Sequence, residues 1–212
     1  MTQIYNLTVE PMTEDSFKPF GEVWSASQKP ADRRILFPTS YSHDGQSTVH
    51  VIWQPLSGLK FDQLERHFGV TQSFVQLSGG SAVVCAATPT DPDNLHDIPS
   101  PEDVRAFLIN PSIGYSFKRG TWHSLNRHIL DQDGATFLIL NSNPNPTQVV
   151  NYQTGTGYLS KDLDVDQNPE ILSNANMSGI EFEIQAGQLF ADKIWNQPNG
   201  GRQTSHYRQE RW

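Results

Sequence analysis

Short runs of alternating apolar and polar character fill the middle of the chain. Val49–Trp53, Gln72–Leu77, Ala82–Ala87, Ala106–Ile109, Gly114–Phe117 and Thr136–Asn141 are each rich in β-branched or aromatic residues and bounded by Gly, Pro, Asn or Asp. Such residues fit a pleated, half-buried surface, so each run reads as a strand. Strands at these short intervals predict an all-β sandwich or barrel. Helix is confined to one place. In Thr13–Phe20 (TEDSFKPF), Thr13 can cap, Glu14 and Asp15 suit a first turn, and Pro19 ends it. Thr88–Val104 is rich in Pro and Asp and reads as a surface loop, with Ser100 capping a turn that holds Glu102 and Asp103. Beyond Asn141 the texture loosens. Asn141–Gln148 is turn-forming, Asp162–Asn168 is an acidic loop, and Gly179–Gln185 (GIEFEIQ) alternates like one more strand at an edge. Residues 196–212 read as a polar tail, either poorly ordered or laid on a partner subunit.

Composition narrows the class. A chain of 212 residues is long enough for one well-buried domain and short for two. Five Trp, 6 Tyr and 11 Phe supply a core, which excludes disorder throughout. A net charge of −8 and the lack of any Lys/Arg-rich run exclude a nucleic-acid module. No stretch approaches the roughly 20 apolar residues a membrane helix needs, and Met1–Val9 lacks the pattern of a secretory leader. The one cysteine, Cys85, allows no internal disulfide and sits in the apolar run Ser81–Ala87, where a buried, inert thiol is expected. The expectation is a cytoplasmic protein that works on a small molecule.

One local pattern carries chemistry. In Glu65-Arg66-His67-Phe68-Gly69-Val70-Thr71-Gln72, Glu65 and His67 share a strand face because side chains two apart project together. A turn around Gly69 brings Gln72 back toward that pair in a hairpin-like reversal, and Gly79 closes the following run. Gly120-Thr121-Trp122-His123 places a second imidazole just after a turn glycine. An acid, two imidazoles and a carboxamide can thus converge inside a barrel. The remaining candidates are weaker. His43, His50, His96, His128 and His206 have no partner at a telling spacing, and Asp162, Asp164 and Asp166 lack the Gly and Glu of a calcium loop.

Glu65-x-His67-x4-Gln72-x6-Gly79 resembles the first cupin motif, His-x-His-x4-Glu-x6-Gly, and Gly120-x-x-His123 resembles the core of the second. The words ERH…TQSFVQLSG and RGTWH, with the opening LTVEPMTEDSFKPFGEV, resemble the ureidoglycolate lyase family over Leu7–Asn143. That resemblance implies one cupin domain, here residues 1–195, built as a double-stranded β-helix (a jelly-roll barrel) with a short N-terminal helix and an irregular C-terminal extension. It also implies a homodimer and cleavage of the C–N bond of ureidoglycolate to glyoxylate and urea. The substrate is a hemiaminal, so elimination needs a base for the hydroxyl proton and an acid for the leaving nitrogen. Imidazoles suit either task near neutral pH. On this basis His67 and His123 form the acid/base pair, and Glu65 orients one of them or serves as base. Gln72 hydrogen-bonds the substrate, and Arg119 or Lys118 meets its carboxylate, with Arg66 a weaker candidate. No cofactor is required; a divalent metal on Glu65, His67, Gln72 and His123 is the alternative.

The sequence also departs from the family pattern. Phe68 stands where Pro follows ERH, Phe117-Lys118 replace Tyr-His, Trp53 replaces an Arg, and Asn141-Ser142 replace Asp-Arg. Trp53, Phe117 and Asn141 thus count as altered substrate-handling positions. They keep two alternatives open: a lyase, isomerase or cyclase for another, larger oxygenated substrate, and a non-catalytic cupin that binds a small molecule.

Overall fold

A computed structural model describes residues 2–25 and 37–187. The expected tail, residues 196–212, lies outside the described residues. Two facing sheets form an all-β, cupin-like half-barrel. The smaller runs in the order Gly21–Trp24, Gly114–Phe117, Ser73–Gly79, Ala135–Asn143, Gln46–Gln54. At the centre of the larger sheet Thr147–Asn151, Gln63–His67, Trp122–Ser124 and Ala82–Ala87 lie side by side. All six runs read as strands in the middle of the chain are strands here, with ends shifted by up to three residues.

The sheets close over an aromatic lumen of Phe17, Phe20, Phe74, Phe107, Tyr115, Phe117 and Phe137. Most of these pair edge-to-face or tilted, as the ring quadrupole favours. A second core holds Leu64, Trp122, Val150, Tyr152 and Phe182 on the other face of the larger sheet. Alternation along Gln63–His67 sorts its side chains between the two: Leu64 joins the second core, and Glu65 and His67 turn to the lumen. The helix Glu14–Phe17 is one capped turn that delivers Phe17 to the lumen. Thr13 Oγ1 accepts from Ser16 N at 3.1 Å, and Ser16 Oγ accepts from Thr13 N at 3.0 Å, a reciprocal cap.

Both motif glycines are conformationally required. Gly79 has φ +96°, and a Cβ there would lie 2.3 Å from the Gly134 carbonyl oxygen. Gly120 has φ +78°, in the left-handed region that side chains disfavour.

Two expectations are corrected and one strand is added. The turn before Gln72 is not a hairpin: Gln63–His67 belongs to the larger sheet and Ser73–Gly79 to the smaller, so the chain crosses between sheets. Gln72 therefore approaches His67 across the lumen rather than along a ladder. Ile180–Gln185 is not an edge strand, because Gln3–Thr8 pairs with it in parallel and Lys60–Phe61 antiparallel. Gln3–Pro11 is itself a strand that the hydrophobic pattern does not announce; only Leu7 is buried along it, and its partners lie far away in sequence.

Candidate active site

Pairing register assembles the centre. His123 is the direct antiparallel neighbour of Glu65, and Thr147 is that of His67. Glu65 Oε1 lies 3.8 Å from His67 Nε2 and 3.8 Å from His123 Nδ1. The two imidazole centroids are 5.3 Å apart. Phe117 stacks on His123 at 4.4 Å and 8°, fixing that ring from the opposite sheet. Both imidazoles are buried, and Glu65 keeps 12% of its side chain exposed, so it is the member nearest solvent.

Hydrogen bonds set the tautomers. The Thr147 hydroxyl donates to the Asn145 carbonyl at 3.0 Å. It can therefore only accept from His67 Nδ1, 2.8 Å away. His123 Nδ1 faces the Ser124 carbonyl at 3.1 Å, an acceptor, so it too carries the proton. Each ring then presents an Nε2 lone pair, and both Nε2 atoms are buried without a hydrogen-bond partner.

Burial dominates the proton affinities. It pushes the Glu65 carboxyl up to about 7, against the pull of the Arg127 charge. It pushes His67 down to about 4, helped by Arg127 and opposed by the carboxamides of Gln72 and Asn145. Burial likewise holds His123 well below the usual imidazole range, with His67 and Arg127 adding to the effect. The centre is thus two neutral imidazoles around a carboxyl that titrates near neutrality. Glu65, His67 and His123 also offer ligand atoms all within 4.8 Å of one another. With the His67 Nε2 lone pair orphaned 3.8 Å from Glu65, this donor set fits a divalent ion.

The other residues singled out in the sequence are placed as follows. Gln72 is buried with Oε1 unpartnered, and Asn141 Oδ1 is likewise buried and unpartnered. Phe117 is committed to the His123 stack. Trp53 is 60% exposed, on a strand whose next residue, Gln54, is the buried one. Lys118 Nζ donates to the carbonyls of Lys18 and Pro19 at 2.6 and 3.2 Å. Arg119 pairs with Asp44 at 2.8 Å. Arg66, on the second-core face, lies over Trp122 at 4.6 Å and Phe68 at 4.7 Å. Cys85 is fully buried, and burial raises its thiol pKa.

Sequence reasoning missed three residues. Thr147 fixes the His67 tautomer, and Arg127 sets the local field. Tyr158 stands across Val149 on the row of Glu65; burial first, and then the Glu65 charge, raise its hydroxyl pKa. None follows a motif spacing; each reaches the centre through cross-strand pairing or a loop.

A cupin-like half-barrel whose lumen gathers a carboxyl and two imidazoles at one point defines the class by fold and donor set. The particular family follows from comparison with known proteins. The ureidoglycolate lyase family matches residues 4–157. The ureidoglycolate lyase of Azotobacter vinelandii is 31% identical over 146 residues, which span 63% of this chain and 83% of that protein. That of Pseudomonas paraeruginosa is 30% identical over 129 residues, 55% and 73% of the two chains. That of Pseudomonas syringae pv. syringae is 27% identical over 132 residues, 55% and 72%. The chain belongs to the ureidoglycolate lyase family, and it is a lyase.

Proposed function

We propose that the chain cleaves ureidoglycolate to glyoxylate and urea, with Glu65 as the proton-transfer group. One observation carries the reading: the Glu65 carboxyl stands 3.8 Å from each of two buried imidazoles, where burial raises its pKa toward 7 and lowers theirs. An acid–base group works best when its pKa lies near the operating pH. The imidazoles, depressed by burial, are poor proton carriers there, so the roles differ from those the sequence suggests. Ionised Glu65 takes the proton of the substrate hydroxyl. The C–N bond breaks, its electron pair goes to the urea nitrogen, and the hydroxyl oxygen becomes the glyoxylate carbonyl. The proton on Glu65 then passes to that nitrogen, which sat on the same carbon, so one carboxyl serves both ends. The Nε2 lone pairs of His67 and His123 match the N–H donors of a urea group. Gln72 adds a carboxamide beside His67.

The test is release of glyoxylate and urea from ureidoglycolate by the purified protein. The expected kcat/KM rises with pH through about 7 as Glu65 ionises, then levels. No release above the uncatalysed rate over pH 6–9 would overturn the reading.

The convergence of Glu65, His67 and His123 supports a second reading, in which these residues hold a divalent ion that polarises the substrate oxygens. Stoichiometric metal in the purified protein supports it, and metal-free protein with full activity removes it.

A homodimer is proposed as well. The outer face of the smaller sheet exposes Val49 (63%), Val51 (65%) and Trp53 (60%) together on its edge strand. Leu138 and Leu140 lie beside Val51 and Val49 on the neighbouring strand, extending the apolar face. Such a patch marks an association surface. Val51→Glu is expected to convert a dimer into a monomer in light scattering; a wild-type monomer at micromolar concentration contradicts the assignment.

A further inference from the structure

We propose that Arg127 is the anchor for the substrate carboxylate, an anion subsite inside the lumen that no motif of the sequence marks. The inference rests on the lyase reading for the identity of the acid, but not for the existence of the subsite.

Arg127 is only 4% exposed. A guanidinium removed from water needs a counter-charge or a full set of acceptors. Among the described residues Arg127 has neither. No carboxylate lies within ion-pair distance of it, and its side chain makes one long hydrogen bond, Nε to the Tyr115 hydroxyl at 3.5 Å. Nη2 is buried with no partner. The guanidinium lies 3.7 Å from the centroid of Phe74, a lumen residue. That contact supports the cation through the ring face but leaves its charge unneutralised.

The position is held rather than incidental. Gln54 Oε1 accepts from Arg127 N at 3.2 Å, while Gln54 Nε2 donates to Asn126 Oδ1 at 3.1 Å. One buried carboxamide thus grips the loop that carries Arg127. The charge is felt at the reaction centre, where it bears on Glu65, His67 and His123 together.

The other candidate cations are already engaged. Lys118 is bound to backbone carbonyls, Arg119 to Asp44 and Arg105 to Glu10. Arg66 hydrogen-bonds Gln148 and Thr90 on the second-core face. A planar guanidinium with an open edge fits a carboxylate in two-point fashion. The substrate class is therefore a small 2-hydroxy acid derivative, with its carboxylate toward Arg127 and its reacting carbon toward Glu65.

Two probes that differ only in charge test this: glycolate and glycolamide, titrated calorimetrically into the full chain. Glycolate is expected to bind the wild type at least tenfold tighter than glycolamide. Arg127→Met is expected to weaken glycolate by about 10–100-fold, the loss typical of a charged hydrogen-bonded pair, and to leave glycolamide unchanged. In turnover the same variant raises KM for ureidoglycolate far more than it lowers kcat. Arg127→Gln removes the charge but keeps a planar polar group, and decides the matter if the Met variant does not fold. A loss of selectivity for glycolate over glycolamide in the Gln variant supports the anchor; wild-type selectivity overturns it. Equal glycolate affinity in wild type and a folded Arg127→Met also overturns it. A wild type that binds glycolate through Arg127 but releases no glyoxylate sinks the lyase reading and leaves the anchor standing.

Discussion

Glu65→Gln is expected to lower kcat/KM for ureidoglycolate by about 10²–10⁴-fold, the usual worth of a positioned acid–base group. The same change is expected to stabilise the protein above pH 7. A carboxyl whose folded pKa is raised to about 7 resists ionising in the native state. Below about pH 4.5 it is protonated whether folded or unfolded and costs nothing. Between the unfolded value and 7 the unfolded chain ionises while the native one does not, so stability falls as pH rises. Above 7 the full penalty applies, of order 3 kcal/mol at about 1.36 kcal/mol per pKa unit. A neutral carboxamide at this position would occupy the same space without that penalty. Thermal melts at pH 4 and pH 8 read it directly: the variant matches the wild type at pH 4 and melts several degrees higher at pH 8. Equal melting at pH 8 would show that Glu65 ionises in the barrel at no cost.

The imidazole variants should separate recognition from proton transfer. His67→Ala removes a lone pair facing the centre and is expected to cost about 10–100-fold in kcat/KM, the worth of one or two buried hydrogen bonds. His67→Gln places a carboxamide oxygen near the former Nε2 and should recover most of that loss. An acid–base role for the ring itself would allow no such rescue. His123→Ala also strips the ring stacked on Phe117, so it is expected to lose about 2–4 kcal/mol of stability together with turnover. His67 gives the acid side of the stability profile its own slope. Its folded pKa of about 4 lies below the unfolded value. The native state is therefore unpenalised by this group above about pH 6.5 and loses stability as pH falls toward 4, opposite in sign to Glu65. Wild-type turnover in both Ala variants would mean that the centre lies elsewhere.

The backbone plan is legible in the sequence because it rests on period-two patterning and on two glycines with positive φ, Gly79 and Gly120. The same period places Glu65 with His67, and the second glycine word brings in His123. Where two distant elements meet is not legible. Nearness to His123 in sequence favours Lys118 and Arg119 as substrate cations, but their charged groups are occupied by Lys18, Pro19 and Asp44. Trp53 aligns with a polar family position and so suggests a place in the pocket, yet strand parity gives the inward place to Gln54 and leaves Trp53 exposed. Arg127 escapes notice because no spacing links it to the histidines. It reaches the lumen from a loop fixed by Gln54, 73 residues earlier in the chain. The protonation roles are hidden too, since they follow from burial and from the carbonyls that choose each tautomer.

The proposed chemistry depends on the proton affinity of one carboxyl, that of Glu65. Infrared titration of its carboxyl stretch, taken as the difference between wild type and Glu65→Gln, measures that affinity in place. A midpoint near pH 7, with the neutral acid still dominant at pH 6, is the expected result. A midpoint at or below 5 would mean an ordinary, hydrated carboxylate and would contradict the proposed chemistry at its root.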